Sequence, residues 1–80
     1  MKTIHVQYFA ALREQRGLTG EAVQTDAMTP RALYTELQLT HAFTLSADRL
    51  RVARNEAFVP WESSLNDGDT IVFIPPVAGG

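Results

Sequence analysis

Hydrophobic and polar residues alternate from the first strand-length stretch of the chain. In Lys2–Phe9, Ile4, Val6 and Tyr8 share one face and Thr3, His5 and Gln7 the other, the period of a strand with one side buried. Phe9 breaks the pattern, since parity sets this large apolar side chain with the polar residues. Ala10 to Arg16 are good helix formers and Gly17 stands where a left-handed cap belongs, which predicts a helix of about two turns. After Gly20, Glu21–Thr25 reads as a short second strand. Thr29-Pro30 is a helix start, threonine as N-cap and proline in the first turn. The main helix then runs to about Leu39, with Leu33 and Leu37 one turn apart and facing the core. Thr40 to Asp48 has no period and reads as loop. Arg49–Arg54 alternates again, Leu50 and Val52 inward and Arg49 and Arg51 outward. Asn55-Glu56 supplies a tight turn into a short edge strand, Ala57–Val59, which Pro60 ends. Asn66-Asp67-Gly68-Asp69 is a strong turn signal just before the final strand.

That final strand, Ile71-Val72-Phe73-Ile74, is apolar on both faces, the mark of a buried central strand. Pro75 and Pro76 stop it, because proline donates no N–H to a ladder, and they favour an extended path. Val77, Ala78, Gly79 and Gly80 follow. Six residues from Pro75 onward span at most about 20 Å. A diglycine end adds little packing but suits passage through a slot too narrow for a Cβ, with a carboxylate presented at its tip. The alternative is a frayed chain end.

The order strand, short helix, strand, main helix, three strands is packed most economically as an α+β roll. We expect a β-grasp (ubiquitin-like) fold over residues 1–74, with a mixed sheet of about five strands, the first and last strands central, one main helix and one short one. Residues 75–80 form an extended arm. Other small α+β rolls share this element order. With the helix on one face, the other face stays open. If Ile71 and Phe73 join the core, then Val72 and Ile74 lie on the open face with Phe9 and Phe58, an apolar patch beside the arm's base that reads as an interaction surface. The competing expectation is that loops fold over these residues.

Composition narrows the function classes. Eighty residues at 45% hydrophobic and 20% charged describe one ordinary globule, and a net charge of −2 with no basic stripe argues against nucleic acid. Without cysteine there is no disulfide, thiolate nucleophile or thiolate metal ligand. No run reaches membrane-spanning length and the first residues do not resemble a signal peptide, so we expect a cytoplasmic protein.

A self-contained active site does not emerge. His5 and His41 lack ligand-spaced partners, so no metal is expected. Ser46, Ser63 and Ser64 lack an elbow or a His/Asp framework. Asp67 and Asp69 read as turn chemistry and solvation, and Arg49, Arg51 and Arg54 as one solvated strand face. The unusual group is the terminal carboxylate of Gly80. Activated as an acyl-adenylate by a partner using ATP, it is open to attack by sulfur, leaving a thiocarboxylate, or by an amine, leaving an isopeptide bond.

Asp67-Gly68-Asp69 followed by Phe73-Ile74-Pro75-Pro76-Val77-Ala78-Gly79-Gly80 resembles the carboxyl terminus of the molybdopterin synthase small-subunit family (MoaD, of the MoaD/ThiS sulfur-carrier superfamily). Tyr8-Phe9-Ala10-Ala11-Leu12-Arg13-Glu14 resembles that family's first strand and helix. Ile74 stands where many members carry an aromatic.

The resemblance implies a carrier that is not catalytic alone. A MoeB-like adenylyltransferase would activate Gly80 with ATP and Mg, neither held by this chain, and a sulfurtransferase would supply sulfur. The Gly80 thiocarboxylate would enter the large synthase subunit (MoaE-like), in a heterotetramer, and donate sulfur to cyclic pyranopterin monophosphate. Gly79 would permit passage, Pro75, Pro76, Val77 and Ala78 would direct the arm, and Phe9, Arg13, Phe58 and Ile74 would dock the partner. The alternatives are a ThiS-like carrier for thiamine biosynthesis and a ubiquitin-like protein modifier.

Overall fold

The computed structural model describes residues 1–76. Val77, Ala78, Gly79 and Gly80, and with them most of the expected arm, lie outside the described residues.

The elements are β1 (Lys2–Tyr8), α1 (Ala10–Arg16), β2 (Gly20–Thr25), α2 (Pro30–His41), a 3-10 turn (Ala47–Arg49), β3 (Arg51–Arg54), β4 (Ala57–Phe58) and β5 (Thr70–Ile74). They form one mixed sheet in the order β2-β1-β5-β3-β4, with the first and last strands inside it, as the sequence predicts. β1 runs antiparallel to β2 and parallel to β5, and β3 runs antiparallel to both β5 and β4.

Alternation decides which face is covered. Ile4, Val6 and Tyr8 of β1, Ile71 and Phe73 of β5, and Leu50 and Val52 at β3 are buried on one side. Against them α2 sets Leu33 and Tyr34 and, one turn on, Leu37, all on one helical face. Thr29 caps α2, its side-chain oxygen accepting from the Ala32 amide at 3.1 Å. α1 ends on Gly17 at φ 80°, with the Gly17 amide donating to Arg13 O, the left-handed cap that glycine takes without strain. Asn55 and Glu56 both have positive φ, 50° and 74°, so the β3–β4 hairpin closes on the turn type whose twist matches its strands.

The structure corrects four details. α2 continues to His41 before Ala42 turns left-handed at φ 56°, and Ala47–Arg49 coils once, so β3 begins at Arg51 and not Arg49. This segment also delivers Phe43 to the core, stacked on Tyr34 at 6.1 Å, which no period announces. β4 is Ala57–Phe58 only. Arg54 does not share a face with Arg49 and Arg51: its register partners Ile71 and Ala57 place it on the opposite parity, and its guanidinium donates to the Ser64 carbonyl. Asp69 is no solvated turn residue. It is buried, and accepts from the Asn55 side chain at 3.0 Å and the Asn66 amide at 2.8 Å.

These contacts lock the start of β5. Asn55 exchanges bonds with Thr70, the Asp69 carbonyl accepts from the His5 amide, and Asp67 accepts from the Thr3 amide. A slip of one residue would exchange the buried and open faces of β5, so this clasp fixes which side chains reach the surface beside the arm.

A polar cluster ties β1, α1, β2 and α2 together. Glu21 accepts from the Tyr8 hydroxyl at 2.7 Å and from both Nε and an Nη of Arg16 at 2.8 Å, with His41 Nε2 at 3.7 Å. The Arg16 guanidinium, against some desolvation, holds the Glu21 carboxyl below its ordinary 4.5. Burial first, then the bond to Glu21, pushes the Tyr8 phenol above its ordinary 10.0, and burial raises Tyr34 in the same direction. A lowered carboxyl stabilises above its unfolded value, and that contribution disappears as pH falls from 4.5 toward the depressed value. A raised phenol stabilises below 10.0, and that contribution disappears as pH rises beyond it. The melting temperature should therefore be flat between about pH 5 and 9 and fall on both sides. In Glu21→Gln the plateau should drop and the acid limb flatten; thermal melts across pH test both.

Candidate functional site

The candidate site is the open face of the sheet at the end where β5 gives way to Pro75 and Pro76. The register assembles it row by row. Phe58, Ala53, Val72 and Gln7 stand side by side across β4, β3, β5 and β1, and in the next row Arg51 stands beside Ile74. Tyr8 pairs with Phe73, so Phe9, one position further, lies level with Ile74. The open-face prediction holds: Phe9 is 46% and Phe58 58% exposed, and Val72 and Ile74 are half-buried. Loops do not cover this face. Leaving large apolar side chains in water here gains nothing for the fold.

Two arginines flank the patch where β5 ends. Arg51 lies 4.2 Å above the Phe58 ring, a cation–π contact that holds both side chains in place. Arg13, one turn into α1, is exposed and lines a hollow of about 310 Å³ with Gln7, Tyr8, Phe9, Thr19 and Gly20. Gly20 is fixed by close approach, since a Cβ there would sit 2.9 Å from the Val6 carbonyl oxygen. A second hollow of about 380 Å³ lies along Leu50–Val52 and Phe58–Trp61. Phe9, Arg13, Arg51, Phe58 and Ile74 thus put two cations and no acid around the arm's base, on a chain of net charge −2.

Ala10 enters α1 with φ 51°, a left-handed backbone that costs a non-glycine residue about 1 kcal/mol or more. This bend separates Phe9 from the sheet's last registered position and from the helix, leaving its ring outside both. Phe9 fills the cap position with no side-chain bond.

Of the residues expected at the site, Phe9, Arg13, Phe58, Ile74, Pro75 and Pro76 come together at this end. Val77, Ala78, Gly79 and Gly80 lie outside the described residues. Sequence reasoning assigned Arg51 to solvent and missed its place over Phe58; the alternation that puts Arg51 on the open face was the available signal. Ala53, only 8% exposed, completes the row between Phe58 and Val72.

The patch, an exposed apolar face rimmed by arginines, has the character of a docking surface. Residues 6–80 match the model of the ThiS family. The chain belongs to that family. The molybdopterin synthase sulfur carrier subunits of Haemophilus influenzae and Escherichia coli are each 35% identical to it over 80 residues, covering 96% of this chain and 99% of theirs. The crystal structure of SAMP1 from Haloferax volcanii superposes with a TM-score of 0.78 at 25% identity, covering 98% of this chain and 99% of that one. The complex of subunits 1 and 2 of the molybdopterin-converting factor from Helicobacter pylori matches with a TM-score of 0.68 at 23% identity over 98% of this chain and 99% of its counterpart, a likeness of fold. The ubiquitin-like β-grasp fold expected from element order is the fold of this ThiS-family chain.

Proposed function

We infer that this chain is the sulfur carrier of a molybdopterin synthase. The observation that supports this reading best is 35% identity, over nearly the whole length, to curated subunits of that name. The Pro75-Pro76-Val77-Ala78-Gly79-Gly80 ending continues directly from a rigid central strand, which suits delivery of a terminal group into another protein's active site. In this reading a MoeB-like adenylyltransferase, with ATP and Mg, converts the Gly80 carboxylate to an acyl-adenylate. Sulfur displaces AMP, and the thiocarboxylate donates sulfur to cyclic pyranopterin monophosphate inside a MoaE-like subunit. The general acid and base belong to the partner. The open apolar face with Phe9, Phe58 and Ile74 is the docking surface, rimmed by Arg13 and Arg51. That the Helicobacter pylori relative is a complex of two subunits is consistent with a partner of this kind.

Truncating the anchors tests the docking surface. Phe9→Ala with Ile74→Ala should weaken binding to the large subunit by about 2 kcal/mol or more, roughly 30-fold, with the melting temperature nearly kept. Leu39→Ala, on the exposed side of α2, should leave affinity alone. Calorimetric titration of the two subunits decides; equal losses in both variants would remove this face from the interface.

A further inference from the structure

The chain carries six arginines and a single lysine, Lys2. Every cation near the arm's base is an arginine: Arg13 and Arg51 at the patch, and Arg49 two residues before Arg51. Lys2 opens β1, whereas the arm leaves the other end of the parallel neighbour β5. Counting along that register, Lys2 lies seven positions from the level of Ile74, about 23 Å at the rise of a strand. Six residues from Pro75 span at most about 20 Å, so even an arm laid fully extended back along the sheet stops short of the Lys2 backbone. Lys2 Nζ is also engaged, donating to the Ala27 carbonyl at 2.8 Å. The other amine, that of Met1, is at the same remote end, 3.7 Å from Asp26.

We propose that this placement of amines is a specificity device: the cations around the arm's base carry no primary amine, so an activated acyl group at Gly80 is reserved for sulfur and does not end as an amide on its own carrier. The inference rests on the carrier reading. The reaction avoided is aminolysis. A neutral lysine Nζ attacks the Gly80 acyl carbon, the C–N bond forms, the C–O bond to phosphate breaks, AMP leaves with the electron pair and the ammonium proton passes to water. An ordinary exposed lysine is neutral about one time in a thousand at neutral pH, and tethering next to the acyl carbon multiplies even that fraction through effective concentration. Arginine stays protonated and cannot react, yet keeps the charge and its stacking on Phe58. Arginine at Arg13, Arg49 and Arg51 therefore preserves the electrostatics of docking while removing the side reaction.

The test does not need the activating partner. The full chain is prepared as a Gly80 thioester by thiol cleavage of an intein fusion and incubated at pH 8, with intact mass followed over time. The wild-type chain should lose its thioester by hydrolysis alone, and Lys2→Arg should match it. A variant carrying Arg13→Lys, Arg49→Lys and Arg51→Lys, all at exposed positions, should lose the thioester at least about tenfold faster, yielding amide-linked monomer or dimer in place of free acid. Circular dichroism confirms that the variants are folded, and each single substitution is run as well in case the triple variant is not. Hydrolysis at the wild-type rate in every lysine variant would overturn the proposal and leave the carrier reading standing. Amide product in the wild-type chain that disappears in Lys2→Arg would overturn it as well.

Discussion

On the carrier reading, removal of Gly80 should abolish sulfur transfer and leave the unfolding temperature nearly unchanged. The deletion moves the terminal carboxylate back by one residue, about 3.3–3.6 Å, while reacting atoms must approach within about 3–3.5 Å and a misplacement of about 1 Å already costs about a hundredfold. A chain ending at Gly79 still has a carboxylate and still docks, but its acyl carbon stops short. Transfer should fall at least about a hundredfold in an assay with the reconstituted partners. Among the described residues the buried core ends at Phe73, so the fold should not register the loss. A change of about 0.5 kcal/mol or less moves the melting temperature by no more than about 4 °C in a domain of this size. A larger drop would show that the chain end contributes to the fold and is not a free arm.

Phe73→Ala costs about 3–5 kcal/mol of stability, the range for a fully buried phenylalanine. Phe73 has no exposed surface and joins the two sides of the core, its ring 5.0 Å from that of Tyr34 and 5.9 Å from that of Trp61, on which it stacks. At about 0.05–0.15 kcal/mol per residue, a chain of this length has about 4–12 kcal/mol in total, so this one truncation removes about a quarter or more and unfolds the domain if the total lies at the low end. Val72, the adjacent residue, points to the open face, and Val72→Ala should cost less than about 1 kcal/mol. Urea unfolding of both variants gives the comparison. Near-equal midpoints would contradict the assignment of faces on β5, and with it the composition of the open apolar patch.

Which face each strand buries was readable because alternation has only two phases. Ile4, Val6 and Tyr8 set the inner face of β1, and the odd parity of Phe9 was enough to place a large apolar residue outside the core. The segment from Thr40 to Asp48 was not readable. Phe43 enters the core between a left-handed Ala42 and a single 3-10 turn, and neither leaves a period in the sequence. Asp69 looked like any turn acid, because the partners that bury it, Asn55 and Asn66, depend on how the β3–β4 hairpin meets the turn before β5. The Glu21 cluster was hidden for the same reason: Tyr8, Arg16 and His41 converge on one carboxylate only after four elements have packed.

The open apolar patch was legible, but its chemistry was not. Fold cannot separate a sulfur carrier from a protein modifier, since the small archaeal modifier protein 1 of Haloferax volcanii shares this architecture at a TM-score of 0.79. What separates them is the atom that attacks Gly80. If sulfur attacks, the carrier is recovered as a thiocarboxylate; if a lysine attacks, the chain is consumed in an isopeptide bond. The central claim is therefore tested by the intact mass of the chain purified from its native cell with the large synthase subunit deleted, so that charged carrier has no outlet. The account predicts a species in which one oxygen is replaced by sulfur, placed at Gly80 by fragmentation and missing from the Gly80 deletion. Recovery of the free carboxylate alone, or of Gly80 joined to lysines of other proteins, would contradict it.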